Sequence, residues 1–131
     1  MVGIDTNVLV RFVTQDDETQ FLKVSQFLNQ NCTEESPGWI SSIVLCELVW
    51  VLSSGYGYKR SQIGKLLNQL LVVTSLRFEN RTCVRTAVED FVEGNADFSD
   101  YLIAASNQKH GCSTTVTLDK KAGKHPGFHL L

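Results

Sequence analysis

Short strand-like segments alternate with longer helix-like segments along the whole chain, and this alternation limits its possible folds more than any other feature. Apolar or β-branched residues typical of strands are found at 2–5, 39–41, 72–76, 114–117 and 128–131. The segments between them have helical spacing, as where Ile63, Leu67 and Leu71 recur on one face. Strands that alternate with helices predict an α/β fold with a parallel sheet covered by helices.

The beginnings of the helices are marked by short polar residues that can cap them. We expect helix starts at these cap candidates: Asp16 or Asp17, Ser41 or Ser42, Ser61, and Asn80. The sequence Gly94-Asn95 interrupts the chain, and a further helix is predicted from about residue 100 to Lys109, ending at His110-Gly111.

The length of the chain favours one domain, and its cysteines and N-terminus favour an intracellular compartment. Its 131 residues match a common domain size, and no linker or repeat divides them, so a single domain over 1–131 is expected. The apolar segment 43–52 is much shorter than the roughly 20 residues of a membrane span, which predicts a buried helix and no membrane association. Four scattered cysteines and the absence of a signal sequence at the N-terminus favour reduced thiols in a cytoplasmic protein.

Four acidic residues stand out because of their positions. Asp5 follows the first strand and Asp119 follows the strand at 114–117, and the carboxyl ends of parallel strands meet at one edge of a sheet. Asp97 and Asp100 lie at the start of the helix before that strand, and spacing alone does not decide whether they face the same edge. Each of the four also has a simpler interpretation as a turn, helix-cap or exposed loop residue.

Glu47 is a fifth acid in an unexpected place. It lies in the middle of the most apolar segment, where an ionised carboxylate is costly without a partner. We therefore expect it to meet a donor from elsewhere in the fold, or a metal ion. Several carboxylates together predict a site for Mg²⁺ or Mn²⁺, which prefer oxygen ligands and can activate water next to a phosphate. The histidines lack zinc-site spacing, and no serine or cysteine nucleophile motif is present.

Four motifs in order give the chain a resemblance to a known family. They are Asp5-Thr6-Asn7, Glu47 in its apolar helix, the segment Ala96-Asp97-Phe98-Ser99-Asp100 before Leu102-Ile103-Ala104-Ala105, and Thr117-Leu118-Asp119-Lys120-Lys121. With the ending Lys124-His125-Pro126-Gly127-Phe128, they resemble the PIN domain, specifically its VapC-like toxin branch.

The resemblance implies a fold, an activity and a set of site residues. The fold is a Rossmann-like three-layer α/β/α sandwich with a central parallel sheet, in which Asp100 faces the same edge as Asp5 and Asp119. The activity is that of a Mg²⁺- or Mn²⁺-dependent endoribonuclease. The implied catalytic and metal-binding acids are Asp5, Glu47, Asp100 and Asp119, with Asp97 as an additional metal ligand. The implied supporting residues are Thr6, Asn7 and Thr117.

The resemblance also implies partners. VapC-like toxins form homodimers and are inhibited by a cognate VapB-like antitoxin, whose arginine pairs with the acids. The RNA substrate is expected to contact Lys120 or Lys121 through its backbone. The net charge of −2 is not that of a general nucleic-acid binder, although bound cations would change the local sign.

Two other functions are compatible with the same residues. An α/β phosphatase could use Asp5 as its nucleophile, but the Asp-x-Asp pattern is missing because position 7 is Asn. A non-catalytic RNA- or peptide-binding PIN-like module could use the acids only to contact a basic segment, and such a module need not bind Mn²⁺.

Overall fold

The computed structural model describes residues 1–131, and backbone contacts divide them into two compact units, Met1–Glu79 and Asn80–Leu131. A single domain over 1–131 stays a prediction. The helices are α1 (Thr6–Thr14), α2 (Glu18–Asn31), α3 (Ser42–Trp50), α4 (Arg60–Leu71), α5 (Arg81–Glu93) and α6 (Phe98–Lys109). The strands are β1 (Val2–Gly3), β2 (Gly38–Ile40), β3 (Leu76–Phe78), β4 (Thr115–Thr117) and β5 (Phe128–Leu130). A π-helical turn covers Val51–Gly55 and a 3₁₀ turn covers Ala122–Lys124.

The first unit contains a parallel sheet of three strands in the order β1-β2-β3. Val2 pairs with Gly38, and Ile40 pairs with Phe78. The N–H of Ile4 donates to the carbonyl of Trp39 at 2.9 Å, which continues the pairing one residue beyond β1. β1 leads almost directly into α1 and β2 into α3, so the residues after the carboxyl ends of both strands begin helices.

The core of the first unit is built from the apolar faces of α1, α3 and α4. Its most deeply buried side chains are Leu9, Ile40, Leu45, Leu48, Leu52, Ile63 and Leu67. Burying each such side chain contributes about 1.5–3 kcal/mol relative to leaving it exposed. The helical stripe predicted from Ile63, Leu67 and Leu71 is confirmed, because all three are buried.

Several predicted boundaries are confirmed and two are wrong. Asp17 and Ser41 cap α2 and α3 by accepting the N–H groups of Gln20 and Val44. Ser61 is not the cap of α4, which begins after Lys59. The strand predicted at 72–76 is also wrong, since a turn that follows the end of α4 at Leu71 occupies 72–75. The pairing with β2 instead selects Leu76–Phe78, whose first and last side chains are buried.

Glu79, which directly follows β3, connects this strand to the start of α3. Its Oε1 accepts the N–H of Ser42 at 2.8 Å, and its own N–H donates to the carbonyl of Ile40. A carboxylate at a helix N-terminus satisfies a free N–H group and interacts favourably with the helix dipole. Glu79 therefore stabilises the start of the helix that carries Glu47.

Replacing Glu79 by Ala is expected to lower the free energy of unfolding by about 1 kcal/mol, because the N–H of Ser42 loses its acceptor. Glu79→Gln keeps an acceptor oxygen and should lose less. Urea unfolding of wild type and both variants measures the difference. Equal stability of Glu79→Ala and wild type would contradict this role.

A second polar cluster lies between the end of α1 and the π-helical turn. The hydroxyl of Tyr56 donates to Asp16 at 2.7 Å, and the guanidinium of Arg11 donates to the hydroxyl of Tyr56 at 3.1 Å. The hydroxyl of Thr14 also donates to Asp16. The hydrogen bond from Tyr56 has the largest effect on the pKa of the Asp16 carboxyl and lowers it, and the hydrogen bond from Thr14 lowers it further. The cluster ties the segment that follows α3 to the junction of α1 and α2.

The second unit pairs two helices with two parallel strands. α5 packs against α6, and the rings of Phe91 and Phe98 meet edge to face with centroids 5.9 Å apart. β4 and β5 are parallel, with Thr115 opposite Phe128, and the 3₁₀ turn lies between them in the chain. The predicted end of α6 at His110 is confirmed.

The α/β class is confirmed. Every strand pairing in the structure is parallel, and helices separate the strands of the first unit along the chain. None of the helices combines the length and apolarity needed to span a membrane.

Candidate active site

Asp5 occupies the N-cap position of α1, immediately beyond the strand pairing of β1. Its backbone is extended (φ −79°, ψ 159°) and its carbonyl accepts the N–H of Leu9, but its side chain makes no capping hydrogen bond. The side chain is exposed. The interpretation of Asp5 as a simple cap residue is therefore not supported, and its carboxylate is available to a ligand.

The residues after Asp5 differ in their surroundings. Thr6 is buried, with 6% of its surface exposed, and its hydroxyl has no hydrogen-bond partner. A buried hydroxyl without a partner is unusual, because its desolvation is not offset. Asn7 is exposed in the first turn of α1. The unsatisfied hydroxyl beside Asp5 fits a position where a ligand supplies the missing contact.

The structure corrects the expectation that Glu47 is buried among apolar side chains. α3 buries Leu45, Leu48 and Val49, whereas Glu47 lies on the opposite, exposed face. Ile43 and Trp50 share that face and are 72% and 69% exposed. Glu47 needs no internal partner, because solvent reaches it. Ile43 and Trp50, one turn before and one turn after Glu47, are also exposed. The apolar residues of α3 have no clear period, so the sequence did not reveal which of its faces is exposed.

Cys46, next to Glu47, does not have the properties of a nucleophile. It is half-buried, and burial raises the pKa of its thiol. The four cysteines are all free thiols, as predicted.

Asp97 and Asp100 lie at the start of α6. Asp97 holds the N-cap position, as predicted, but its side chain makes no capping hydrogen bond. Asp100 lies in the first turn of the helix and is half-buried. Burial raises the pKa of the Asp100 carboxyl, and the charges of Asp97 and then Asp119 raise it further. Asp97 and Asp119 therefore both lie close enough to Asp100 to repel its carboxylate.

Asp119 is held in a tight turn after β4. One of its oxygens, Oδ1, accepts the N–H groups of Lys121 and Ala122 at 2.8 and 3.0 Å. Its own N–H donates to the hydroxyl of Thr117 at 3.0 Å. Asp119 is exposed, as its simpler interpretation as a loop residue predicts, and Oδ2 makes no hydrogen bond within the turn.

Lysines surround this turn on its exposed side. Lys120, Lys121 and Lys124 are exposed, and none of them forms an ion pair. The repulsion at Asp100 is therefore not relieved by a cationic side chain.

The donor chemistry of these residues fits a hard divalent cation. The side chains are carboxylates, and a bound cation would offset the repulsion that Asp97 and Asp119 exert on Asp100. Within either unit, no three metal-ligating side chains converge into a complete site. In the second unit, Asp97 and Asp119 lie near Asp100. In the first, Asp5 lies at the N-terminus of α1 and Glu47 lies on α3, and these two helices pack against each other.

Comparison with known sequences identifies the family. The family model of the PIN domain matches residues 2–127. The chain belongs to the PIN domain family. This PIN domain is also similar to a VapC ribonuclease of Aquifex aeolicus (strain VF5), with 23% identity over 121 residues. The match covers 92% of this chain and 89% of the relative. The PIN-like α/β fold expected from the sequence motifs is thereby confirmed.

The sequence did not single out Asp90 or Tyr101, and it marked His125 only as part of the ending motif. His125 contacts both Asp90 and Tyr101 in the second unit, although Asp90 and His125 are separated by 35 positions. No local pattern marks such a contact in a single sequence.

Proposed function

We propose that this PIN domain is a metal-dependent endoribonuclease that acts as the toxin of a toxin–antitoxin pair. The observation that carries the proposal is the group around Asp100, in which the carboxylates of Asp97 and Asp119 lie close to a half-buried Asp100 and none of the three forms an ion pair. Its membership in the PIN family and its similarity to a VapC ribonuclease support the same conclusion.

Each acid of the family motif receives a role in this proposal. Asp5, Glu47, Asp100 and Asp119 are proposed as catalytic acids and metal ligands, and Asp97 as a further ligand. Mg²⁺ or Mn²⁺ bound there would lower the pKa of a water molecule and neutralise charge on the phosphate.

The remaining residues support or orient these groups. The buried hydroxyl of Thr6 can donate to a carboxylate or to substrate, and Asn7 adds a polar group beside it. Thr117 holds the backbone of Asp119. Lys120 and Lys121 are proposed to bind the RNA backbone, because their ammonium groups are exposed and unpaired.

The proposal includes a protein partner. It adds a cognate VapB-like antitoxin, a homodimer and a cytoplasmic location, which the similarity to a VapC ribonuclease supports. The exposed Ile43 and Trp50 support a partner chain, because they flank Glu47 with apolar surface that water does not favour. An inhibitor that covers these side chains would also reach the carboxylate between them.

Removal of the metal tests the proposed activity. Purified protein is expected to cleave a mixed cellular RNA pool with Mg²⁺ or Mn²⁺, and to stop when EDTA is added. Cleavage should return when metal is restored in excess, which separates chelation from denaturation. Cleavage that continues in chelator would contradict the metal-dependent chemistry. A folded, inhibitor-free protein that cleaves nothing and takes up no Mn²⁺ would favour a non-catalytic binding module.

A further inference from the structure

The imidazole of His125 is held at both of its nitrogens. Nε2 lies 2.9 Å from Oδ2 of Asp90, and the N–H of Gly127 donates to Nδ1 at 3.0 Å. Because Nδ1 accepts a hydrogen bond, Nε2 carries the proton and donates it to Asp90. The two hydrogen bonds leave the ring one orientation.

Aromatic contacts enclose the same ring. The ring centroid of His125 lies 5.5 Å from that of Tyr101 and 6.2 Å from that of Phe128, both in edge-to-face geometry. A Cβ at Gly127 would lie 3.0 Å from Nδ1, so a larger residue there would press on the imidazole. The ring is therefore fixed by packing as well as by hydrogen bonds.

Tyr101 connects this cluster to the segment that carries Asp97 and Asp100. Tyr101 follows Asp100 in the chain, is 4% exposed, and accepts the N–H of Ala96 on its hydroxyl at 3.2 Å. Ala96 in turn precedes Asp97. The hydroxyl of Tyr101 thus holds the backbone at Ala96, before the two carboxylates, while its buried ring anchors α6 after them.

His125 is connected in a similar way to Asp119. The carboxylate of Asp119 accepts the N–H of Ala122, and the carbonyl of Ala122 accepts the N–H of His125 at 3.0 Å. The N–H of Gly123 also donates to the carbonyl of Asp119 at 2.9 Å. The chain from Asp119 to His125 is therefore a continuous hydrogen-bonded turn, and a displacement of the imidazole is passed on to Asp119.

We propose that Tyr101 and His125 are positioning residues that set the distance of Asp119 from Asp97 and Asp100, with Asp90 orienting the imidazole. The inference rests on the proposed function, since the distance matters only if these carboxylates hold a metal ion. Mg²⁺ demands near-octahedral geometry, so its ligands tolerate little displacement. An apolar residue at position 125 would fill the same space, but it could not fix the ring through two hydrogen bonds.

The test compares wild type with variants that change one polar group each. Tyr101→Phe removes the hydroxyl, His125→Phe keeps a ring without the hydrogen bonds, and Asp90→Asn keeps an acceptor oxygen. The matched control is His129→Phe, because His129 is exposed on β5 and outside the cluster. Mn²⁺ affinity is measured by electron paramagnetic resonance of the free ion, together with thermal unfolding and with kcat and KM for RNA cleavage.

Tyr101→Phe and His125→Phe are each expected to weaken Mn²⁺ binding about tenfold and to lower kcat, while KM for RNA stays unchanged. Asp90→Asn should have a smaller effect, and His129→Phe none. The proposal is wrong if Tyr101→Phe and His125→Phe fold and bind Mn²⁺ as wild type does. A loss of activity that only follows a loss of folded protein does not rescue it. If His125→Phe does not fold, Tyr101→Phe and Asp90→Asn decide. Wild type that takes up no Mn²⁺ overturns the proposed function itself, before any variant is compared.

Discussion

Asp5→Asn is expected to reduce RNA cleavage at least about 100-fold and to leave the protein folded. The loss is expected because an amide oxygen is a neutral and weaker ligand for Mg²⁺ than a carboxylate. The fold should survive because the Asp5 side chain is exposed and makes no capping hydrogen bond, so no internal contact is lost. Cleavage of a cellular RNA pool and thermal unfolding of the same preparations measure the two effects.

Asp17→Asn is the matched control for this variant. Asp17 is also an aspartate at a helix N-cap, but its carboxylate accepts the N–H of Gln20. Asn caps helices about as well as Asp, so stability and cleavage should both stay near the wild-type values. Full cleavage by Asp5→Asn would remove Asp5 from the proposed mechanism. Equal loss in Asp5→Asn and Asp17→Asn would point to a general effect of charge rather than to a ligand.

The element order was predictable because the signals that define it are local. Helix stripes such as Ile63, Leu67 and Leu71, and caps such as Asp17 and Ser41, act within one or two turns of chain. The third strand was misplaced for the opposite reason. β-Branched residues at 72–74 favour a strand, but partners on β2 decide which residues pair, and they select Leu76–Phe78.

The candidate site was predictable only in part. Asp5, Asp97 and Asp119 were singled out by their positions in the chain, and the family resemblance implied that they form one metal site. The exposure of Glu47 was not predictable, because α3 is apolar around its circumference and nothing in the sequence tells its exposed face from its buried one. That Asp5 and Asp97 occupy cap positions without capping became visible only from the geometry of their side chains.

Gly94 shows a steric constraint that the sequence only hinted at. The dipeptide Gly94-Asn95 predicts a break in the chain, and Gly94 does end α5, with its N–H donating to the carbonyl of Asp90 at 2.8 Å. Its φ of −96° is one that any residue adopts, so the backbone conformation does not require glycine. Space does, because a Cβ at this position would lie 1.9 Å from Oη of Tyr101 and 2.9 Å from the carbonyl oxygen of Asp90.

Gly94→Ala is therefore expected to lower the free energy of unfolding by about 3 kcal/mol, at the upper end of the range for overpacking. The cost is high because Tyr101 is buried and its hydroxyl already accepts the N–H of Ala96, so neither the ring nor the turn moves freely. Urea unfolding measures the change. Gly3→Ala is the control, since a Cβ at Gly3 would meet nothing within 4 Å.

A double-mutant cycle with Tyr101→Leu identifies the cause of this cost. Leucine has no atom at the position of the tyrosine hydroxyl, so Gly94→Ala should cost less in the Tyr101→Leu background than in wild type. The carbonyl oxygen of Asp90 stays close in both backgrounds, and some of the cost should therefore persist. Additive effects of the two substitutions would show that they do not interact. In that case the backbone of α5, and not the contact with Tyr101, excludes a side chain at position 94.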